Sequence, residues 1–160
     1  GLDMKLLALS TGGRNDNAEA VKGYLDAAGF NVELDIADSG RFYSSVFVEG
    51  WEDVALMFSG TDMNYLIGAH RWWGPQPMTN LASFNRPQGL IDLFNESLTA
   101  VSEEEQIAAT ADIVDFMTEE ALIIPLFNTP GAFIHNGKVH TTYYQQGFTR
   151  WDHHDMWLEQ

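Results

Sequence analysis

The chain has 160 residues, of which 45% are hydrophobic and 19% charged, as expected for one folded globular domain with a sizeable core. Its 8 Lys and Arg against 23 Asp and Glu give a net charge of −15, which disfavours nucleic acid and anionic membranes, since both attract Lys and Arg clusters. No apolar run has the length of a transmembrane helix, and the absence of cysteine excludes disulfides, thiolate nucleophiles and Cys-based zinc sites.

The first 36 residues predict a β-α-β unit. Met4 to Leu9 is a short apolar run typical of a buried strand. The next segment has apolar residues at helical spacing, namely Ala18, Val21, Leu25 and Ala28. Gly29 follows at the position where a helix commonly ends in a left-handed residue. Phe30 to Ile36 alternates apolar and polar residues, which predicts the second strand.

A second helix and a third strand are predicted next, so the alternation of strand and helix continues. The helix is predicted over residues 39–49 with Gly50 at its end, and it presents Phe42, Tyr43, Val46 and Phe47. Asp53 to Ser59 is apolar at nearly every position, as in a strand covered on both faces. Two parallel units with short connections predict an open α/β sheet.

Gly60 to Arg86 differs in composition from the rest of the chain. It is rich in Gly, Pro and Asn and carries the aromatic residues Tyr65, Trp72, Trp73 and Phe84. It follows the carboxyl end of the third strand, where open α/β sheets bind their ligands. Loops of this length in a compact domain are often functional. We therefore predict that this segment forms a ligand-binding loop.

Regular structure is predicted again after Arg86. A short helix covers about residues 88–98, and Ser102 with Glu105 forms a capping box before a long helix. The buried face of the long helix is assigned to Ile107, Ala111, Val114 and Met117. Ala121 to Phe127 predicts an edge strand because it contains Pro125.

A hairpin is predicted near the end of the chain. It pairs Phe133–His135 with Val139–Tyr144 around the turn Asn136-Gly137, whereas the tail after Arg150 has no clear periodicity.

This order of segments resembles the peptide, dipeptide and nickel-type solute-binding proteins of bacterial ABC transporters, often called family 5. The similar stretches are AEAVKGYLDAAGFNVEL, WEDVALMFSG, FNRPQGLIDLFNESL and EEEQIAATADIVDFMTEEALIIPLF. The chain departs from the family in Thr61-Asp62-Met63-Asn64, where Asp-Pro is usual, and in Ala121-Leu122, where Ala-Pro is common. These departures concern the ligand more than the fold.

The resemblance covers only the C-terminal lobe of the family's two-lobed fold. It implies a three-layer lobe of the type II periplasmic-binding-protein kind, an open mixed sheet with helices on both faces. Residues 1–150 would form this second lobe, and residues 151–160 a tail leading back toward a missing N-terminal lobe. It also implies a periplasmic protein or cell-surface lipoprotein whose targeting segment has been removed, with an ABC-transporter permease as partner and no cofactor.

Asp62 is the first candidate for ligand binding. It follows an apolar strand, and in the resembling family an Asp at the matching position pairs with the α-amino group of a bound peptide. Such a charge-assisted hydrogen bond would orient a peptide in a closed cleft. The alternative interpretation is an Asp that caps the next helical turn.

The other candidates lie further along the same segment. Trp72 and Trp73 offer indole faces for peptide side chains or sugar rings, although one could fill the core and the other pack on a loop. Arg71 suits a ligand carboxylate or an internal ion pair. Tyr65, Asn64 and Asn80 are weaker candidates, and Tyr43 is assigned to the core.

Neither metal binding nor catalysis is predicted. His153-His154 between two Asp residues lacks the i, i+4 spacing of a zinc helix, and His70, His135 and His140 are scattered. No nucleophile elbow or phosphate-binding loop is present in the sequence. The favoured hypothesis is a peptide-binding lobe that is not an enzyme. The alternatives are an oligosaccharide-binding member of the same family and a free-standing small α/β hydrolase that uses carboxylates.

Overall fold

The computed structural model describes residues 1–11, 14–59, 64–76, 80–128, 136–140 and 156–159. The chain divides into two compact units, Gly1–Ile124 and Pro125–Gln160, and each is described by itself. Among the described residues, no helix is both long enough and apolar enough to cross a bilayer.

The first unit alternates strands and helices and then becomes helical. Its elements are β1 (Leu2–Leu9), α1 (Arg14–Ala27), β2 (Phe30–Ala37), α2 (Ser39–Ser44), β3 (Val54–Ala55), α3 (Tyr65–Trp73), α4 (Gln88–Ser97) and α5 (Glu103–Glu119). A π-helical turn, Ser45–Glu49, continues α2 and closes with a hydrogen bond from the Gly50 amide to the Ser45 carbonyl.

The three strands form a parallel sheet in the order β2-β1-β3. Leu6 is aligned with Leu34 on one side and Val54 on the other. The predicted α/β class is therefore confirmed, whereas the sheet was predicted to be mixed and the described pairings of this unit are all parallel. The third strand is shorter than predicted, because only Val54–Ala55 and the Leu56 amide, which donates to the Leu7 carbonyl, pair with β1.

Both faces of β1 are covered, which explains its continuous apolar run. Leu7 and Leu9 project to the α2 face, where a cluster that we call the sheet core consists of Leu7, Leu9, Ala37, Phe42, Val46 and Leu81. Leu6 and Ala8 project the opposite way. They are also buried, on the face against which α1 contributes Ala18. Helices on both faces were predicted, and the described residues agree.

Two glycines end helices in conformations that other residues rarely adopt. Gly29 has φ of 97° after α1, as predicted, and Gly50 has φ of 101° after the π-helical turn. A Cβ atom on Gly50 would lie 2.8 Å from the Ser83 hydroxyl oxygen. That hydroxyl accepts from the Trp51 amide and donates to the Trp51 carbonyl, so the turn is held closely against residue 83.

The helices α3, α4 and α5 enclose a second cluster. This helix core consists of Leu66, Ala69, Leu90, Phe94, Ile113 and Met117. The predicted capping box is confirmed, because the Ser102 hydroxyl accepts from the Glu105 amide and the Glu105 carboxylate accepts from the Ser102 amide.

Three predictions in this region are wrong. Residues 65–73 form a helix inside the segment predicted as a loop. The buried face of α5 holds Ile113 and Met117, whereas Ile107 is 63% exposed. Residues 121–128 form no strand, because Leu122 and Ile123 pack against the helix core directly after α5.

The second unit contains a short antiparallel pair. Its strands are β4 (Val139–His140) and β5 (Trp157–Leu158), with His140 aligned with Trp157. The predicted turn is present, since the Val139 amide donates to the Asn136 carbonyl. Residues 133–135 and 141–144, the rest of the predicted hairpin, lie outside the described residues, and the described partner of β4 comes from the tail.

Candidate functional site

The carboxyl ends of β1 and β3 are adjacent in the sheet. Between these two strands in sequence, the chain forms β2 on the other side of β1. This reversal of strand order is the topological switch point, where open α/β sheets bind ligands. The segments that leave the two strands meet there, since the Arg14 guanidinium lies 4.8 Å from the centre of the Phe58 ring. Residues 60–63, including the predicted anchor Asp62, lie outside the described residues.

Asn64 begins α3 and has structural partners. Its side-chain oxygen accepts from the Ile67 amide at 3.1 Å, which caps the helix. Its side-chain nitrogen donates to the Gln106 side chain of α5 at 3.2 Å. Both ends of this amide are used within the fold, so the structure places Asn64 at the α3–α5 contact.

The two adjacent tryptophans at the end of α3 point in different directions, as neighbours on a helix do. Trp73 packs against both the sheet core and the helix core, and its ring centre lies 6.5 Å from that of Tyr65. Trp72 packs against the sheet core only. Trp73 therefore connects the two cores, whereas Trp72 belongs to a different set of aromatic contacts.

Trp72 lies at one end of an aromatic strip (Tyr43, Phe47 and Trp72). The Tyr43 and Phe47 rings are stacked with centres 5.9 Å apart and planes 3° apart, and the Phe47 and Trp72 centres are 6.4 Å apart. Tyr43 is 46% exposed, so its assignment to the core was wrong. The strip joins α2, which follows the carboxyl end of β2, to α3, which follows that of β3.

The sequence analysis did not select Phe47 as a ligand-binding residue. The i, i+4 spacing of Tyr43 and Phe47 was the available signal, because residues four apart share one helix face. Their pairing with Trp72 depends on tertiary structure. Stacked aromatic faces of this kind bind sugar rings and the side chains of peptides.

Arg71 extends the strip with a positive charge. Its guanidinium carbon lies 5.6 Å from the centre of the Trp72 ring, and the residue is exposed. A guanidinium held over an indole forms a cation–π contact, and the planar guanidinium has the geometry to pair with a carboxylate. The structure therefore brings the candidates Arg71 and Trp72 together with Tyr43 and Phe47. Asn80, a weaker candidate from residues 60–86, is exposed.

A half-buried arginine fixes the backbone under the strip. Arg86 donates to the Trp72, Gly74 and Phe84 carbonyl oxygens at 3.4, 3.0 and 3.2 Å. Its burial lowers the pKa of the guanidinium from its usual value, although the group stays charged at neutral pH. Because two of these carbonyls lie at the C-terminus of α3, the charge also complements the helix dipole.

A cleft of about 310 Å³ lies on the α2 face of the sheet near its amino end. Its charged lining residues include Lys5, Asp35, Glu49 and Glu52. Lys5 donates to Glu52 at 2.7 Å, which raises the pKa of the lysine, and Asp35 accepts two bonds from Arg41, which lower the pKa of that carboxyl group.

Sequence reasoning missed this cleft. A lone lysine inside the apolar run of β1 was the available signal. The named ion pairs already use Lys5, Asp35 and Glu52, so the cleft does not present these three side chains as unpaired catalytic groups.

The described histidines do not form a metal site. The His70 ring nitrogen Nε2 lies 2.8 Å from the Ser97 hydroxyl, and the His140 ring stacks on Trp157 with centres 4.0 Å apart. No group of three or more His, Cys, Asp or Glu side chains suited to a metal ion occurs in the described part of the chain. His135, His153 and His154 lie outside it.

Comparisons with known proteins found no match for the chain, since no family model, no curated protein and no solved structure matches it.

Proposed function

We propose that this chain is one lobe of an extracytoplasmic solute-binding protein that serves an ABC importer. A second lobe would close over the solute, and the closed pair would present it to a membrane permease. In such a clamshell the ligand stabilises the closed form because it makes contacts that only that form offers. The proposal is for a binding module and not for an enzyme.

The aromatic strip is the observation that carries this proposal. A protein that closes on a solute needs an open wall of amphipathic side chains with a few polar groups. Tyr43 at 46% exposure and Arg71 over Trp72 supply such a wall. The helix α3, which carries Arg71 and Trp72, is the element that follows β3. Open α/β sheets bind their ligands beyond the carboxyl ends of their strands.

A peptide is the favoured ligand, and an oligosaccharide is the second candidate. The peptide hypothesis depends on Asp62 as an anchor for an α-amino group and on Arg71 as a partner for a carboxylate. The oligosaccharide hypothesis is favoured by the parallel stacking of Tyr43 on Phe47, because flat aromatic faces suit the apolar faces of sugars.

A small hydrolase is the alternative from another class. Glycoside hydrolysis needs a carboxylic acid whose pKa is raised beside a second carboxylate. Among the described residues, the carboxyl groups with a shifted pKa are Asp26, Asp35 and Glu105, and in all three the pKa is lowered by hydrogen bonds. These three groups therefore do not have the raised pKa that a general acid needs.

Isothermal titration calorimetry of the 160-residue chain tests the proposal. We expect millimolar binding of a tripeptide or of cellotriose, because one lobe supplies only part of the contacts that the closed form makes. Trp72→Ala should abolish that heat, whereas Trp51→Phe, a change in the lining of the Lys5 cleft and outside the aromatic strip, should leave it unchanged. Tight binding by the single chain, or turnover of either ligand, would contradict the half-clamshell proposal.

A further inference from the structure

The side of α5 that faces away from the helix core carries a stripe of exposed apolar residues. Ile107 is 63% exposed and Val114 is 37% exposed, with exposed Ala111 between them. Their i, i+4, i+7 spacing places them on one helix face. We call this surface the α5 stripe (Ile107, Ala111 and Val114). It is separate from the aromatic strip, which α5 does not join.

The α5 stripe lies in an entirely anionic stretch of sequence. Residues 87–124 contain nine Asp and Glu and no Lys, Arg or His. The exposed acidic residues of α5 are Glu103, Glu104, Glu105, Asp112, Asp115 and Glu119. In the part of the chain that the structure describes, the Lys and Arg ion pairs involve Glu52, Asp26 and Asp35, which all lie outside α5.

These negative charges determine which kind of partner can bind to the apolar stripe. A second copy of the chain would bring the carboxylates of two α5 helices together, and like charges across an interface oppose association. An anionic bilayer is repelled for the same reason. A partner with apolar residues flanked by Lys and Arg would complement both the apolar stripe and the acidic residues of α5 around it.

We propose that the α5 stripe docks a basic amphipathic helix of a protein partner. The stripe runs from residue 107 to residue 114, and seven helical rises make it about 10 Å or two turns long. An apolar face with i, i+3 and i+4 spacing on the partner would pack along it, and lysines or arginines beside that face would meet the acidic rim. The proposal does not depend on the solute-binding hypothesis, because it concerns another surface.

Fluorescence anisotropy with a labelled helical peptide tests the proposal. The probe is a model peptide of about 18 residues with leucines on one face and lysines on the other. We expect the 160-residue chain to bind it. Ile107→Asp/Val114→Asp should weaken binding by roughly tenfold, since apolar anchors contribute most of the affinity of such interfaces.

The double substitution separates docking from simple charge attraction. It adds two negative charges, so a purely electrostatic complex would become tighter. Ala111→Glu is a milder second variant with good helix propensity, and it should weaken binding in the same direction. Val48→Asp is the matched control, because Val48 is 75% exposed on the π-helical turn and away from α5. Circular dichroism checks that each variant is folded.

Several results would overturn the proposal. Equal or tighter binding by the double variant would show that charge alone attracts the peptide. Failure of the unmodified chain to bind the peptide at low salt would also contradict it. Dimerisation of the chain in analytical ultracentrifugation that Ile107→Asp/Val114→Asp removes would assign the stripe to a second copy. Binding to phosphatidylcholine vesicles that the same variant loses would assign it to a membrane.

Discussion

Arg86 shows how a single half-buried side chain can organise the candidate site without contacting a ligand. Its guanidinium serves three carbonyl oxygens, of Trp72, Gly74 and Phe84. It also lies 5.2 Å from the centre of the Phe84 ring. The end of α3, and with it the position of the Trp72 ring, depends on these contacts.

Replacing Arg86 should therefore cost more than replacing the exposed arginine of the same segment. We expect Arg86→Met to lower the free energy of unfolding by roughly 1 to 3 kcal/mol, because it removes the donors of half-buried carbonyl groups. Arg71→Met removes a cation–π contact at an exposed position and should cost about 0.5 to 1 kcal/mol. Urea denaturation followed by tryptophan fluorescence measures both. Equal losses would show that Arg86 has no special role.

His70 is a second residue whose environment leads to a prediction. The Ser97 hydroxyl donates its proton to the Phe94 carbonyl at 2.8 Å, so the His70 nitrogen Nε2 must be the donor to that hydroxyl. The ring also contacts the Phe94 ring at 4.8 Å between centres. Burial lowers the pKa of His70 below the usual range of a histidine, so the folded protein favours the neutral ring.

This shift makes the stability pH-dependent. The unfolded chain binds a proton at His70 more readily than the folded chain does, so stability falls as the pH decreases below about 6.5 and is fully present above that value. The loss levels off below the lowered pKa of the folded state. His70→Gln should reduce the difference in unfolding free energy between pH 7.5 and 5.5. An unchanged difference in the variant would contradict this assignment.

At the scale of the elements, the end of α5 is built as a Schellman motif with an unusual residue. The Leu122 amide donates to the Met117 carbonyl and the Ala121 amide to the Thr118 carbonyl. This pairing needs a left-handed residue at Ala121, whose φ is 49°. Glycine is the residue that usually occupies this position, because a Cβ atom is disfavoured there.

Ala121→Gly should consequently stabilise the protein. We expect a gain of about 0.5 to 1 kcal/mol in the free energy of unfolding, since the steric cost of the left-handed alanine exceeds the added chain entropy. Ala108→Gly, an exposed alanine in the middle of the same helix, should cost about 1 kcal/mol. Thermal and urea unfolding of the two variants measure the expected gain and the expected loss in the free energy of unfolding. Destabilisation by Ala121→Gly would be inconsistent with the left-handed conformation.

The elements differ in how far local sequence specifies them. The start of α5 was predictable because Ser102 and Glu105 carry the cap in their own side chains. Its buried face was not, because apolar residues occur on several sides of the helix, and only the packing of Leu90 and Phe94 selects Ile113 and Met117. The run after α5 looked like a strand, but Leu122 and Ile123 complete the helix core instead.

The candidate site was predictable to a similar degree. The composition of residues 60–86 and the position of this segment after β3 indicated that its aromatic residues are candidates for ligand binding. Of these candidates, Trp72 and Arg71 are in contact. The helix over residues 65–73 was missed because Gly and Pro dominated the interpretation, although Asn64 is a good N-cap and Leu66, Ala69 and Trp73 have helical spacing. Phe47 joins the strip through tertiary contacts that no local pattern contains.

At the scale of the whole molecule, the charge balance dominates. The net charge is −15, and three described arginines, Arg14, Arg71 and Arg86, lie over aromatic rings. With 8 Lys and Arg against 23 Asp and Glu, few cations offset the carboxylates, least of all near α5, since residues 87–124 contain no Lys or Arg. Such self-repulsion destabilises a compact state and is screened by salt.

We expect sodium chloride to stabilise the chain. Raising its concentration from about 0.05 M to about 1 M, which shortens the screening length, should raise Tm by about 5 °C or more. Glu103→Gln/Glu104→Gln/Asp112→Asn should reduce this salt dependence, because it removes three of the repelling charges while keeping similar shapes. Differential scanning fluorimetry measures both. A Tm that is flat or falls with salt would contradict the role assigned to repulsion.

The central claim is that the aromatic strip forms one wall of a ligand site, and an NMR titration tests it most directly. The chain has 5 tryptophans, each of which gives one indole N–H signal. Addition of a tripeptide or cellotriose at millimolar concentration should shift the Trp72 signal and the amides near Tyr43 and Phe47, while the Trp73 and Trp51 signals stay in place. Shifts confined to the cleft around Lys5, or no shifts with any ligand, would contradict the claim.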